Sequence, residues 1–484
     1  MILDPGESTA AGHPDCDICI VGAGPIGITL ALELAAHGLR VALMESGGET
    51  PGTSGQDLTD GTTTGDPYPP LVAARLRGLG GSSGHWGSWC RWPTQVEWTG
   101  RPWLSGSGWP VPYDALAPHR EVAENWVDLE PGTWEPIDRP SEVEGFLQSR
   151  TRFSPPTRFH RKFDRELRES DRIQIRLGTT VTRLITKGDA VREVEFRTAT
   201  GDRPERLRAD TVVIACGGLE SARLLLLSPM DHGRPPGDAG GWVGRGLMDH
   251  VKVPVLDSIG SPAEFRTTGL FGEPGSKIHL APREELLREH RLLPCRFEFV
   301  PRAEPDFAQD EVFPALGILR EALYGTAGTT RGSRVLMRVD PVARRECRIE
   351  LGTTRDRLGQ PQTRVVWSIG DQERRAIERA PILLAAALRS AGIDHCRVSG
   401  APAGSDAVFG RSPVIYGHHH YGTTRMANAP EHGVVDTDAR VFGVANLYIA
   451  GPGVLPDSAG FPTMIALALA RRLAWKIAGV SAPG

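Results

Sequence analysis

The sequence predicts an α/β protein in which one domain is assembled from separated pieces of chain and a second is inserted between them. Three observations carry this. CDICIVGAG (16–24), the amphipathic PIGITLALELAAHG (25–38) and LRVALMES (39–46) read as strand, helix, strand. The strand-then-helix pattern returns at TVVIACGG and LESARLLLL (211–227). It returns again at NLYIAG (446–451), followed by the apolar FPTMIALALARRLAWKIAG (461–479). A chain of 484 residues also exceeds one ordinary hydrophobic core.

The elements follow in order. Residues 1–13 read as a loose leader, with neither the basic start nor the apolar centre of a secretory signal. Residues 47–110, rich in Gly, Ser, Thr, Pro and Trp, read as long ordered loops. YDALAPHREVAENWVDLE (113–130) has a helical pattern. IQIRLG, VTRLIT and VREVEFR, between 173 and 197, alternate as strands. Between 256 and 404 come the strand-like RVLMRV, CRIELG and TRVVWS and one helix, DQERRAIERAPILLAAALRSAG. The expected division is therefore 14–91, 160–255 and 405–484 for the first domain, with 92–159 and 256–404 forming the second.

Composition narrows the function. Hydrophobic residues make up 40% and charged residues 24%, the balance of a globular protein. A net charge of −4 offers no basic surface for nucleic acid. Arg471, Arg472 and Lys476 interrupt the last apolar stretch, which argues against a membrane span. Seven cysteines without framework spacing suit a reducing cytoplasm. Cys16 and Cys19 are spaced CxxC, but on a strand they point to opposite faces and read as buried thiols.

Gly22, Gly24 and Gly27 form GxGxxG between the first strand and its helix. The first glycine permits a tight turn, the second lets backbone approach a pyrophosphate, and the third lets helix pack on strand. The helix N-terminus offers free N–H groups to phosphate. Glu45 ends the next strand, where a carboxylate accepts hydrogen bonds from a ribose. Together these predict a dinucleotide site. They leave NAD and FAD open and argue against a 2′-phosphate.

Several stretches together resemble the glucose–methanol–choline (GMC) oxidoreductases, which use FAD. They are VGAGPIG with Glu45, RGLGGSSGHWGSWCRW (77–92), GWPVPYDALAPHREVAE (108–124), CGGLESARLLL (216–226), VGRGLMDH (243–250), and a C-terminal block. That block holds HHYGTTRM, GVVDTDARVFGVANLYIAGPGVLP and GFPTMIALALARRLA. The motif style is nearest the branch of pyranose oxidase and related sugar dehydrogenases. The resemblance implies a Rossmann-like FAD domain and a substrate domain with a mainly antiparallel sheet. It implies that Gly81, Ser82, His85 and Trp86 lie along the flavin. It also implies that Gly217, Asp436, Gly451, Pro462 and Thr463 belong to the cofactor site. His85 before Trp86 has the placement of a histidine that bonds covalently to flavin in part of the family.

GHHHYGTTRM (417–426) carries three consecutive histidines. The family places its catalytic histidine first in H-x-x-G-T, which here is His419. His420 beside it could orient substrate. In an extended segment His418 and His420 would share one face and His419 the other, so the three would not converge on a metal ion. Arg425 could hold a phosphate or a carboxylate. The family's second polar active-site residue precedes the Pro-Thr of the last helix. Here Phe461 stands in that place, and phenylalanine moves no proton. A shifted register using Ser458 or Asp457, or substitution by His418 or His420, would supply the missing group.

The expected activity is FAD-dependent oxidation of a hydroxyl on a sugar, amino sugar or aminoglycoside, as in antibiotic biosynthesis, with His419 accepting the proton. The mildly acidic chain would suit a polycationic substrate. Two alternatives stay open: a non-redox lyase on the same FAD fold, and a flavoprotein that acts by binding a partner.

Overall fold

The structure is a computed structural model that describes residues 2–3, 15–130, 138–141, 143–199, 201, 203–258, 275–301, 333–393, 396–398, 414–458 and 460–480. Its first layer is a six-stranded parallel sheet. The strand order is Ile2–Leu3, Ile173–Arg176, Val41–Met44, Cys16–Val21, Ala209–Ile214, Leu447–Ile449. The three separated α/β pieces thus meet in one sheet. Its central strands are apolar because both faces are covered. Ile20, Leu43 and Val213 are fully buried, each such side chain contributing about 1.5–3 kcal/mol.

The helix Pro25–Ala36 starts at the glycine turn, with Pro25 in its first turn, where a missing N–H costs nothing. The last helix, Pro462–Ala478, packs on it and on Ala117–Trp126. The latter is shorter than the helix expected over 113–130. Tyr113–Leu116 forms a tighter 3₁₀ turn before it, and Asp128 takes a left-handed backbone just beyond it. Among the described residues no helix is long and apolar enough to cross a membrane.

The second layer is a mainly antiparallel sheet of nine ordered strands. Its centre runs Val251–Ser258, Ser333–Val339, Cys295–Pro301, Ser276–Pro282, Phe146–Phe153. The strands expected at RVLMRV, CRIELG and TRVVWS form, as does the helix Asp371–Ser390. The α/β class and the two kinds of sheet are as expected.

Three details differ. Trp89–Cys90 and Ile415–Tyr416 pair within the large sheet, although they lie in the pieces expected to form the first domain, and Val251–Ser258 crosses the expected boundary at 255/256. Gly61–Gly65, inside the expected loop region, pairs parallel with Pro361–Trp367. Ile2–Leu3 adds an edge strand rather than forming part of a loose leader, while 4–14 lies outside the described residues. Strand pairing between distant segments decides these cases, and local pattern does not report it.

Candidate active site

A cavity of about 930 Å³ lies between the two sheets, and its wall runs from Glu45 to His419. The glycine motif builds one end. Gly22 has φ +104°, and a Cβ there would meet the Ala215 carbonyl oxygen at 2.8 Å. A Cβ on Gly27 would sit 1.9 Å from the Gly22 carbonyl oxygen, so helix and turn touch only because it is glycine. Gly24 faces open space at the helix N-terminus, with nothing within 4 Å of its Cβ position.

Glu45 is buried beside this turn. One carboxylate oxygen accepts the Ala23 N–H at 2.9 Å; the other accepts those of Gly47 and Gly78 at 2.8 and 2.9 Å. The carboxylate is thereby fixed on the cavity wall with lone-pair capacity left for a ribose hydroxyl. The fixed carboxylate, the open helix N-terminus and the long cavity fit a dinucleotide.

The loop Gly81–Trp86 continues the wall. A Cβ on Gly81 would lie 3.0 Å from Gly24 Cα, so the loop crosses the glycine turn at backbone distance. The Ser82 hydroxyl accepts the Leu76 N–H, and the Trp86 indole N–H donates to the Thr157 carbonyl at 2.9 Å. His85 lines the cavity, and burial lowers its pKa to about 4. Gly217, Gly451, Pro462 and Thr463 also reach the cavity. Asp436 does not. Its carboxylate accepts the N–H groups of Asp438 and Arg440 and pairs with the Arg440 guanidinium, closing its own turn. Arg425 lies off the cavity wall as well: it donates to the Gly106 carbonyl and stacks over Trp242.

All three histidines line the cavity. The expected alternation fails because His418 adopts φ +55°, which breaks the extended geometry. The segment is held from two sides. Buried Asp249 accepts the N–H groups of His418 and His419, each at 3.1 Å, and the Tyr68 hydroxyl at 2.9 Å. Burial raises its pKa to about 7 despite these bonds. On the other side, a Cβ on Gly218 would sit 1.8 Å from the His420 carbonyl oxygen, and the Thr423 hydroxyl donates to the Gly218 carbonyl. The His420 ring centroid lies 6.1 Å from that of Tyr68.

His419 stands edge-on to His250, with ring centroids 4.7 Å apart. Burial first, then Arg338 and His418, lower the His419 pKa to about 3, so its imidazole is neutral near pH 7. Burial also holds His250 well below the ordinary histidine value. Nδ1 of each ring is buried without a hydrogen-bond partner among the described residues.

Phe461 occupies the place of the missing polar group and packs among Trp89, His250, His419 and Arg338. Asp457 and Ser458 do not replace it. Asp457 is committed to Arg101 at 2.7 Å and to the Gly108 N–H, and Ser458 Oγ shares a hydrogen bond with the Tyr421 hydroxyl. His250 is the imidazole beside His419. It lies inside VGRGLMDH, and no local pattern marks it as an active-site group.

A parallel α/β sheet with a glycine turn, a fixed ribose-facing carboxylate and a long cavity ending at buried neutral imidazoles defines a dinucleotide-dependent oxidoreductase. Residues 17–238 match the family described as FAD dependent oxidoreductase, and residues 343–470 match that described as GMC oxidoreductase. Two regions of the chain thus carry the signatures of FAD-dependent and of GMC oxidoreductases. A paromamine 6'-oxidase from Streptomyces fradiae is 24% identical over 314 residues, covering 63% of this chain and 52% of that protein. The chain thus spans about half the length of that relative.

Solved structures share the fold, among them two oxidases. Pyridoxine 4-oxidase from Mesorbium loti has a TM-score of 0.58 at 20% identity, covering 96% of this chain and 99% of its own. A formate oxidase from Aspergillus oryzae RIB40 has a TM-score of 0.61 at 18% identity, covering 97% and 99%.

Proposed function

We propose that this protein oxidises a hydroxyl group of a sugar-like substrate, with His419 as the proton acceptor. The observation that carries this reading is the buried, neutral His419 on the wall of the same cavity that holds the nucleotide cradle. The relative named as a paromamine oxidase supports a sugar-like substrate. Bound FAD supplies the hydride acceptor.

The protein's own residues do the rest. Asp249 fixes the backbone of His418 and His419, which sets where the imidazole points. In His419 the enclosed nitrogen is Nδ1, so Nε2 takes the hydroxyl proton. His250 gives the substrate oxygen its second hydrogen bond, the task for which Phe461 has no polar atom. His420 and Tyr68 shape the wall beyond. His85, on the cavity wall, is the residue through which a covalent link to the cofactor would run.

The test is anaerobic mixing of the yellow protein with sugars, amino sugars and simple alcohols, followed by its visible spectrum. Bleaching by one sugar-like class is the expected result. Product formation with the flavin staying oxidised would replace this reading with lyase chemistry.

His250 carries its own prediction. His250→Ala is expected to slow the limiting rate of flavin reduction about 5- to 150-fold, the worth of one hydrogen bond of about 1–3 kcal/mol. His250→Asn, which keeps a donor, should recover most of that rate. Equal losses in both variants, with FAD lost as well, would reduce His250 to a packing residue.

A further inference from the structure

The charge of the whole chain is mildly acidic, but the substrate end of the cavity is not. Lys252, Arg338 and Arg296 lie directly opposite one another on three neighbouring antiparallel strands. Like charges placed so are destabilising, and burial makes them more so. All three side chains are largely buried. Such a row persists only if anions answer it.

Two of the three are answered within the protein. Arg296 pairs with Asp340 at 2.6 Å and with Glu97. Lys252 binds Glu298 at 2.6 Å, but that carboxylate is shared with Lys277. Burial lowers the Lys252 pKa to about 8 despite Glu298.

Arg338 has no direct partner among the described residues: Glu298 and Asp340 act on it only through space, and both are bound to other cations. It is 9% exposed, lines the cavity, and has no ion pair or hydrogen bond among the described residues. Its guanidinium carbon sits 4.1 Å from the centre of the Phe461 ring and 5.3 Å from that of Trp89. Phe461, the departure from the family pattern, is thus the platform on which this cation rests. Ring faces attract a cation but do not neutralise it.

The cavity's carboxylates point the same way. Glu45 is held by three backbone N–H groups at the nucleotide end of the cavity, where its remaining lone pairs serve the ribose. Glu220 holds Arg75, Arg77 and Arg223, and Asp356 holds Arg223 and two backbone N–H groups. Among the described residues the wall offers a cationic substrate no uncommitted carboxylate, and offers an anionic one an uncommitted guanidinium.

We propose that the substrate carries a carboxylate or phosphate group that pairs with Arg338, with Lys252 beside it, while its hydroxyl lies at His419. This rests on the hydroxyl-oxidation reading and narrows its substrate class to hydroxy acids or phosphate esters of sugar type. A planar guanidinium binds either anion bidentately, so the shared chemistry is a two-oxygen anion.

The test has two parts. The first needs no turnover. The FAD-loaded protein is titrated with acetate and with inorganic phosphate while the flavin spectrum is followed. A saturable change in the parent, weakened tenfold or more in Arg338→Met, is expected, and the anion that gives the tighter response distinguishes the two sources. An identical response in parent and variant, or none, overturns the proposal.

The second part compares flavin reduction by an aldose, its 2-amino derivative, and its uronic acid and 6-phosphate. One of the anionic members should half-saturate at a tenfold or more lower concentration than the neutral sugar. Arg338→Met should erase that advantage. Preference for the amino sugar would overturn the anion proposal and leave hydroxyl oxidation standing. Saturable, Arg338-dependent anion binding without reduction by any member would uphold the anion site and sink the oxidation reading.

Discussion

Replacing His419 with alanine is expected to leave the protein yellow and to slow anaerobic flavin reduction by about 10²- to 10⁴-fold, the usual worth of a positioned base. FAD is retained because the cradle at Gly22, Gly24 and Glu45 is built from other segments. Rapid-mixing absorbance at the flavin band reads both outcomes. The pH dependence gives a second readout. Burial, with Arg338 and His418, keeps the folded His419 pKa near 3. Lowering the pH from 8 to 5 does not protonate such a group, so the parent should show no limb from His419 over that range; a limb near 7 belongs to Asp249, raised there by burial, and should vanish in Asp249→Asn. A limb near the ordinary histidine value of about 6.5 that persists in Asp249→Asn would assign the proton to a more exposed group.

The second large effect is on stability. Glu220, on the helix Gly217–Leu226, meets Arg75 at 3.0 Å, Arg77 at 2.9 Å and Arg223 at 3.2 Å. Burial pushes its carboxyl up, and the three guanidiniums outweigh that, holding it well below the usual carboxylate range. Glu220→Gln keeps the shape and removes the charge. Arg223 retains Asp356, but Arg75 and Arg77 are left buried without a carboxylate. A loss of about 3–5 kcal/mol is expected, because breaking a buried pair strands the remaining charge. The urea midpoint of the holoprotein measures it. Arg77 also donates to Ser46 Oγ at 2.7 Å, next to Glu45, so FAD should dissociate more readily from the variant. An unchanged midpoint would mean that the cluster is already balanced by solvent.

How much of this was legible in the sequence follows from distance along the chain. The glycine turn, Glu45 and the strand-helix pieces are local patterns, and they appear where the residues place them. His419 was legible because H-x-x-G-T is contiguous. His250 was not, because its contact with His419 spans two segments brought together by the pairing of Val251 with Tyr416. The faces of the three histidines were misread because one left-handed residue, His418, cancels an alternation that assumes extended backbone. The cation row was hidden for the same reason as His250. Register between strands creates it, and register is not written in any one strand. One signal was available: Lys252 and Arg338 each interrupt an apolar run, HVKVPV and VLMRV, where a strand buried on both faces has no use for a charge. Net charge carries no information on this row, since a chain total of −4 says nothing about the sign of one cavity.

The strand Leu447–Ile449 pairs with Ala209–Ile214, and the segment bearing His419 rests on Gly218. The finished site therefore depends on a segment made well over two hundred residues after the strand it covers. A ribosome adding about 5–20 residues per second leaves the 209–214 edge uncovered for on the order of tens of seconds before its partner emerges. During that interval the edge is open to other chains. FAD present at that stage would meet a glycine turn and Glu45 but no finished cavity. The moment of cofactor capture, and the yield of folded protein, should therefore depend on flavin supply and on translation speed between these two segments.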